Sequence, residues 1–362
     1  MANFPSLPNS IEPPWLTERL RAAGLIGEAV VTTQSWEPVG TGNVGDSVRF
    51  ALSYDRDGPW PGTIVGKFPA SDETSRTTAA AFGVYAKEVK FYRDVAPRLN
   101  ARVPQAYVAE IAPNGVDFIL LFEDLGPARG GDQLSGCTVA DARAAIRQAA
   151  AIHAPSWHDA ELIATEWLQP KPAALARRAE LYCTAQAVFR ERYAGLLEPE
   201  FMSVCEALNE VVAKLVACES HPRSLVHGDF RLDNMLFDIK GGAEEIAVLD
   251  WQTVAIGNGL ADVGYFLGTG IGDRLRRDHE TELLDLYCSE MTRRGVPLTR
   301  AEIWDDYVVG GLRGIVNAVI SAANVKRSQR GDACFLSMAR GGCALALKHN
   351  SIAKLKGADT WS

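Results

Sequence analysis

Residues 226–237 read Val226-His227-Gly228-Asp229-Phe230-Arg231-Leu232-Asp233-Asn234-Met235-Leu236-Phe237. A polar turn follows, and then Ile246-Ala247-Val248-Leu249-Asp250-Trp251. The apolar stretches 224–226, 235–237 and 246–249 predict three short strands. Asp229 and Asn234 fall in the loop between the first two, and Asp250 ends the third. The spacing therefore brings two carboxylates and one amide to the ends of adjacent strands. A few oxygen ligands of this kind suit a hard ion such as Mg²⁺, which keeps waters and takes phosphate oxygens as well. The remaining Asp can accept a proton from a hydroxyl. His-Gly-Asp alone says little, because turns commonly hold Gly and Asp. The combination H-G-D-x-x-x-x-N, hairpin, apolar-apolar-Asp is far more restrictive, and such context is what confirms a motif. It matches the division of labour in phosphoryl transfer, with one Asp on the acceptor and an Asn and an Asp on metal.

Composition bounds the rest. At 362 residues the chain is long enough for two compact units. Apolar residues make up 47% and charged residues 23%, as in ordinary globular proteins. A net charge of −8 argues against binding nucleic acid or an anionic membrane surface. The seven cysteines are scattered with no C-x-x-C, so neither a zinc site nor a disulfide framework is expected. Reduced cytoplasmic thiols are the default. The start, MANFPSLPNSIEPPW, has no secretory pattern, and no apolar run approaches the roughly 18 residues of a membrane span.

Working toward the N-terminus, the pattern predicts a helix over 15–25 and strands over 30–37, 48–54 and 63–68. Residues 40–45 spell G-x-G-x-x-G between two strands, a turn whose backbone can approach phosphates closely. Lys67 closes a strand, and a helix predicted over 79–95 carries Glu88. A strand Lys with a Glu on the following helix is the pair that orients nucleotide phosphates in kinases. Strands over 103–110 and 116–122 lead into Glu123-Asp124-Leu125-Gly126. Beyond it the pattern turns helical, with a capping box at Thr138–Asp141 opening a helix to His153. Helical spacing recurs at 172–192 and 200–218, from Asp262, and over 299–324.

The stretch HGDFRLDNMLF…AVLDWQ resembles the aminoglycoside phosphotransferase and choline kinase superfamily. Its Arg two places after the Asp is closest in look to the phosphotransferase domains of acyl-CoA dehydrogenase fusions and to ecdysteroid-kinase-like proteins. The resemblance covers roughly residues 30–270. It implies an α+β, protein-kinase-like two-lobe fold. A nucleotide-binding lobe, residues 1–124, would hold an antiparallel sheet plus helix. A mainly helical catalytic and acceptor-binding lobe would span 125–362. It further implies a small-molecule kinase that moves the γ-phosphoryl of ATP or GTP to a hydroxyl.

In that reading Asp229 takes or orients the hydroxyl proton, and Arg231 steadies the transferring group. Asn234 and Asp250 hold Mg²⁺. Lys67, paired with Glu88, meets the α- and β-phosphates. Gly42, Asn43 and Ser47 belong to the loop over the phosphates. Glu123 and Leu125 supply the hinge to the base, and Asp262 braces the catalytic loop from beneath. His153 resembles a family helix position but reads more readily as a buried core histidine. Two rivals stand beside this. A protein kinase would need an activation segment, and only residues 251–261 separate Asp250 from Asp262. A silent nucleotide-binding regulator has no need of Asp229, Asn234, Asp250 and Lys67 together.

For the acceptor, a hydroxylated apolar or amphipathic metabolite is expected, with an aminoglycoside or amino alcohol as the alternative. Residues 299–350 hold four acids against seven Lys or Arg. They also hold an apolar stretch from Gly314, with Trp304 and Tyr307 upstream, suited to wall a pocket. That stretch reads equally as lobe core.

Overall fold

Along β2 (Gly45–Tyr54) the residues Val48, Phe50 and Leu52 are buried, and the residues between them are not. This alternation fixes which face of the sheet is covered. The computed structural model describes residues 4–40, 44–219 and 223–357. In it β2 pairs with β1 (Val31–Pro38) and β3 (Thr63–Pro69). Beyond β3 come β5 (Phe118–Glu123) and then β4 (Ala106–Ile111). The sheet order is β1-β2-β3-β5-β4, antiparallel throughout. β5 is buried on both faces. Ile119 and Leu121 pack under α1 (Pro13–Ala22), through Leu16 and Leu20. Phe118, Leu120 and Phe122 face the other way, into a core that continues below the sheet.

The helix expected over 79–95 is two helices, α2 (Glu73–Ala81) and α3 (Val84–Lys90), followed by a π-turn over Phe91–Val95. Gly83 separates them at φ 67°, a left-handed conformation that glycine adopts without penalty. α3 is thereby free to lie under the sheet with Tyr85, Glu88 and Val89 buried.

After a two-residue strand β6 (Arg129–Gly130), the predicted capping box is present at Thr138–Asp141 and opens α4 (Val139–His153). Next come α5 (Ala160–Ala164), α6 (Pro172–Tyr193), α7 (Pro199–Ala207) and α8 (Val212–Glu219). Then β7 (Ser224–Val226), β8 (Met235–Asp238), a tight turn α9 (Ile239–Gly242), β9 (Glu244–Val248) and β10 (Ala255–Gly257) carry the motif. Helices α10 (Leu260–Thr269), α11 (Asp273–Arg293), α12 (Arg300–Gly310), α13 (Arg313–Asn324), α14 (Gln329–His349) and α15 (Ser351–Gly357) complete the chain.

The expected long helix over 299–324 is likewise broken, between α12 and α13. A Cβ on Gly310 would meet Leu260 O at 2.5 Å, and one on Gly311 would meet Leu345 Cδ2 at 2.5 Å. The backbone crosses α10 too closely there for any side chain. No helix among the described residues is long and apolar enough to cross a membrane.

Candidate active site

The loop that carries Asp229 and Asn234 hangs between two small ladders. β7 pairs with β10, Val226 opposite Ala255, and β8 pairs with β9, Met235 opposite Val248. Gly228 has φ 85°, and a Cβ there would lie 2.6 Å from Thr253 O. Glycine is therefore the residue this turn admits. Asp262, fully buried at the start of α10, accepts His227 N at 2.6 Å and Gly228 N at 3.0 Å. It is the brace beneath the loop. Burial alone would raise its carboxyl, but His153 and Arg313 outweigh that and hold it below the usual range. His153 is fully buried between Tyr287, 3.0 Å from Nδ1, and Asp262, 3.5 Å from Nε2. It serves the brace and does not line the cavity. His227 Nε2 faces the Leu249 carbonyl at 2.8 Å, while its Nδ1 accepts Asp229 N at 3.2 Å. The imidazole thus ties the Asp229 loop to the strand that delivers Asp250.

Three donors converge on the Asp229 carboxylate. Its Oδ2 accepts Arg231 Nε at 3.1 Å and Asn234 Nδ2 at 2.9 Å, and its Oδ1 accepts the Tyr265 hydroxyl at 3.0 Å. Burial pushes this carboxyl up, but the adjacent Arg231 guanidinium prevails and the net displacement is downward. Arg231 also reaches Asp233 at 2.6 Å. The one guanidinium therefore holds both Asp229 and Asp233.

Lys67 Nζ sits between Glu88 Oε1 at 2.8 Å and Asp250 Oδ1 at 3.1 Å. Burial works against its charge, yet Asp250 and Glu88 outweigh it and the ammonium is held above its ordinary range. Glu88, 1% exposed, is pushed upward by its burial despite Lys67. Asp250 has φ 62°, an uncommon conformation for a residue with a side chain. It is 41% exposed to the cleft. Asn234 lies beside it in the ladder, since Leu249 N donates to Asn234 O at 2.8 Å. The Asn234 amide nitrogen bonds both the backbone oxygen and Oδ2 of Asp229, which leaves its oxygen as the coordinating atom. An amide oxygen and a cleft-facing carboxylate fit Mg²⁺ bound chiefly through phosphates and water.

Ser47 stands directly across the ladder from Lys67. Gly42 and Asn43 lie outside the described residues. The Glu123 side chain is bound to Arg102 and to Lys240 at 2.8 Å, and Arg102 and Lys240 both also bind Glu244. The Glu123 backbone N donates to Gln105 O at 3.0 Å, so the carbonyl is the group left to meet a base. The Leu125 carbonyl accepts Lys240 N at 2.8 Å, so the amide is the group Leu125 can offer.

Beside Asp229 opens a cavity of about 470 Å³. Leu175, Val226, Ile256, Phe335 and Met338 supply apolar wall, and Arg178, Arg231, Arg313, Asn317 and Ser321 supply polar wall. Asp229 is the single carboxylate among its lining residues, and none comes from 155–200. The apolar stretch after Gly314 does not wall this cavity. Helical periodicity turns Ile315, Val316, Ala318 and Val319 into the core and presents Arg313, Asn317 and Ser321, four residues apart, to the cavity. Trp304 and Tyr307 pack instead on His349, away from it. Sequence reasoning missed Tyr265 and Asn317. The available signal was Tyr265 three residues after Asp262, hence on the same face of α10.

Residues 47–295 match the ecdysteroid kinase-like family, and the chain belongs to it. Among curated proteins it is similar to human acyl-CoA dehydrogenase family member 11, 34% identical over 86 residues, 24% of this chain and 11% of that protein. It is also similar to mouse acyl-CoA dehydrogenase family member 10, 55% identical over 42 residues, 12% of this chain and 4% of that protein. The chain thus matches about a tenth or less of the length of these relatives. Among solved structures it is similar to a choline kinase from Cryptosporidium parvum, with TM-score 0.55 and 11% identity over 94% of this chain and 98% of that one. A GDP complex of aminoglycoside 2'-phosphotransferase-IIIa gives TM-score 0.52 and 16% identity over 92% and 99%. The fold is the α+β, two-lobe, protein-kinase-like fold of small-molecule kinases.

Proposed function

We propose that this protein is a small-molecule kinase that transfers the γ-phosphoryl of ATP or GTP to a hydroxyl of a small apolar or amphipathic metabolite. The observation that carries the reading is the convergence of two clusters at one cleft. Lys67–Glu88–Asp250 lies on one side, and Asp229 with Asn234 and Arg231 on the other. The acceptor cavity opens beside Asp229. Lys67, held by Glu88, grips the α- and β-phosphates. Asn234 and Asp250 would hold Mg²⁺, which would supply positive charge to offset the negative charge of the phosphates. Arg231 presents a fixed donor fork to the transferring group.

Asp229 accepts the acceptor's hydroxyl hydrogen. Its lowered pKa makes it a strong orienter and a weak early base, which suits a loose transition state in which the proton leaves late. The loop before β2, with Gly42, Asn43 and Ser47, covers the phosphates, and the backbone of Glu123 and Leu125 meets the base. The lobe boundary falls between residues 124 and 125. The test is a metabolite-library screen for Mg²⁺-dependent release of ADP or GDP. Release that depends on a hydroxylated metabolite and vanishes in Asp229→Asn supports the reading. Nucleotide binding with no turnover across the library, under conditions where a known small-molecule kinase works, contradicts it.

A further inference from the structure

The Asp229 carboxylate is almost saturated before any acceptor arrives. An ionised carboxylate offers about four lone-pair sites, two on each oxygen. Oδ2 receives Arg231 and Asn234, which fills both of its sites. Oδ1 receives the Tyr265 hydroxyl, which leaves one. An acceptor hydroxyl that donates to Asp229 must use that last site, next to the phenol oxygen. Tyr265 itself lines the cavity, so the open site lies on the side where the cavity holds its occupant.

The phenol is held from several directions. Its residue is fully buried on α10, three positions after the brace Asp262. Gly314 of α13 presses against its ring, where a Cβ would come within 3.3 Å of Tyr265 Cδ2. Asn317 of α13 lines the same wall, where its Oδ1 accepts Arg178 Nη2 at 3.1 Å.

We infer that Tyr265 is a positioning residue for the transfer: its phenol aims the one open lone pair of Asp229 at the acceptor oxygen. This rests on the reading of Asp229 as the group that orients that oxygen. With the acceptor unidentified, water serves as the acceptor, and Mg²⁺-dependent hydrolysis of ATP and GTP by the full chain is followed. Tyr265→Phe removes one oxygen and keeps the ring. It should lower kcat roughly 10- to 100-fold, the scale of a misaimed reacting group, with KM for the nucleotide and the melting temperature unchanged. If Asp229→Asn hydrolyses at the wild-type rate, the reading of Asp229 itself fails. If Asp229→Asn is impaired while Tyr265→Phe keeps wild-type kcat, or loses kcat and KM together, only the positioning role is overturned. Should Tyr265→Phe fail to fold, Tyr265→Met, which also lacks the hydroxyl, decides, and wild-type kcat in that variant overturns the role.

Discussion

Phe91 and Trp251 lie face to face, with ring centroids 3.9 Å apart and planes 7° from parallel. Phe91 comes three residues after Glu88, and Trp251 directly follows Asp250. The stack therefore fastens the helix that carries Glu88 to the turn that carries Asp250, and Lys67 bridges the same two acids. Aromatic pairs buried this way contribute beyond their area alone. Trp251→Ala should cost about 3–5 kcal/mol of stability, as large aromatic truncations do. Phe91→Leu should cost less and still weaken nucleotide binding. Denaturant unfolding alongside calorimetric titration with Mg·ATP checks both. A destabilised variant with wild-type nucleotide affinity would show that the stack serves the core alone.

The cleft-facing carboxylate of Asp250 should dominate metal-dependent binding. Asp250→Ala removes a full charge and should abolish Mg²⁺-dependent nucleotide binding, whereas Asn234→Ala removes a dipole and should weaken it less. Lys67→Met should weaken binding or turnover, and Glu88→Gln should do so more mildly. Chelation of Mg²⁺ should reproduce the Asp250→Ala result in the wild-type chain. Unchanged Mg–nucleotide binding in Asp250→Ala would remove that residue from the metal site.

At Asp229 the effect should fall on turnover. Asp229→Asn keeps the shape but replaces an acceptor-only oxygen pair with an amide facing Arg231. A loss of about 10²–10⁴ in kcat is expected, the usual reach of acid–base and orienting groups. Nucleotide affinity should change little. Near-normal turnover in the folded variant would place the chemistry elsewhere.

Stability should depend on pH through Glu280. This buried acid meets Lys348 at 2.6 Å, His349 at 2.9 Å and the Tyr307 hydroxyl at 2.6 Å. Burial would raise its pKa, but His349, Lys348 and Tyr307 together bring it from 4.5 down to about 2. The folded value lies below the unfolded one. The stabilisation is therefore full above about pH 4.5 and is lost as pH falls toward 2, on the order of 3 kcal/mol as an upper figure. Glu280→Gln should be less stable than wild type at pH 7, and the gap should close below pH 3. A gap that persists at low pH would assign the loss to packing.

The two-lobe fold was legible through the family resemblance, which rests on the motif stretch, the strand Lys and the helix Glu, all of them local patterns. The capping box at Thr138 was legible for the same reason, since its partners lie three residues apart. Two helix breaks were not. At Gly83 a left-handed turn, and at Gly310-Gly311 a backbone crossing against Leu260 and Leu345, depend on what packs there. The direction in which α13 faces was equally hidden. Its apolar run looked like pocket wall, but the core claims Ile315 and Val319, and the cavity receives Asn317. The bond between Tyr265 and Asp229 joins residues 36 apart; the Asp262–Tyr265 spacing places the phenol on the brace's face of α10 but does not name its partner.

The cavity beside Asp229 makes one more outcome testable. Asp229 is the single carboxylate in its wall, and three donors already hold it. Three guanidiniums, from Arg178, Arg231 and Arg313, share that wall with apolar Leu175, Ile256, Phe335 and Met338. An ammonium group brought into such a site needs a carboxylate partner, and burying it without one is strongly unfavourable. A polycationic amine carries several. Kanamycin-like amines should therefore be poor acceptors, and hydroxylated terpenoids, steroids or hydroxyacyl compounds better ones, compared side by side for Mg²⁺-dependent ADP or GDP release. The variant Arg178→Glu, which puts a carboxylate into the wall, should move the preference toward amines. Efficient turnover of the amines by the wild-type chain, with none of the other compounds, would show that the cavity is not where the acceptor binds.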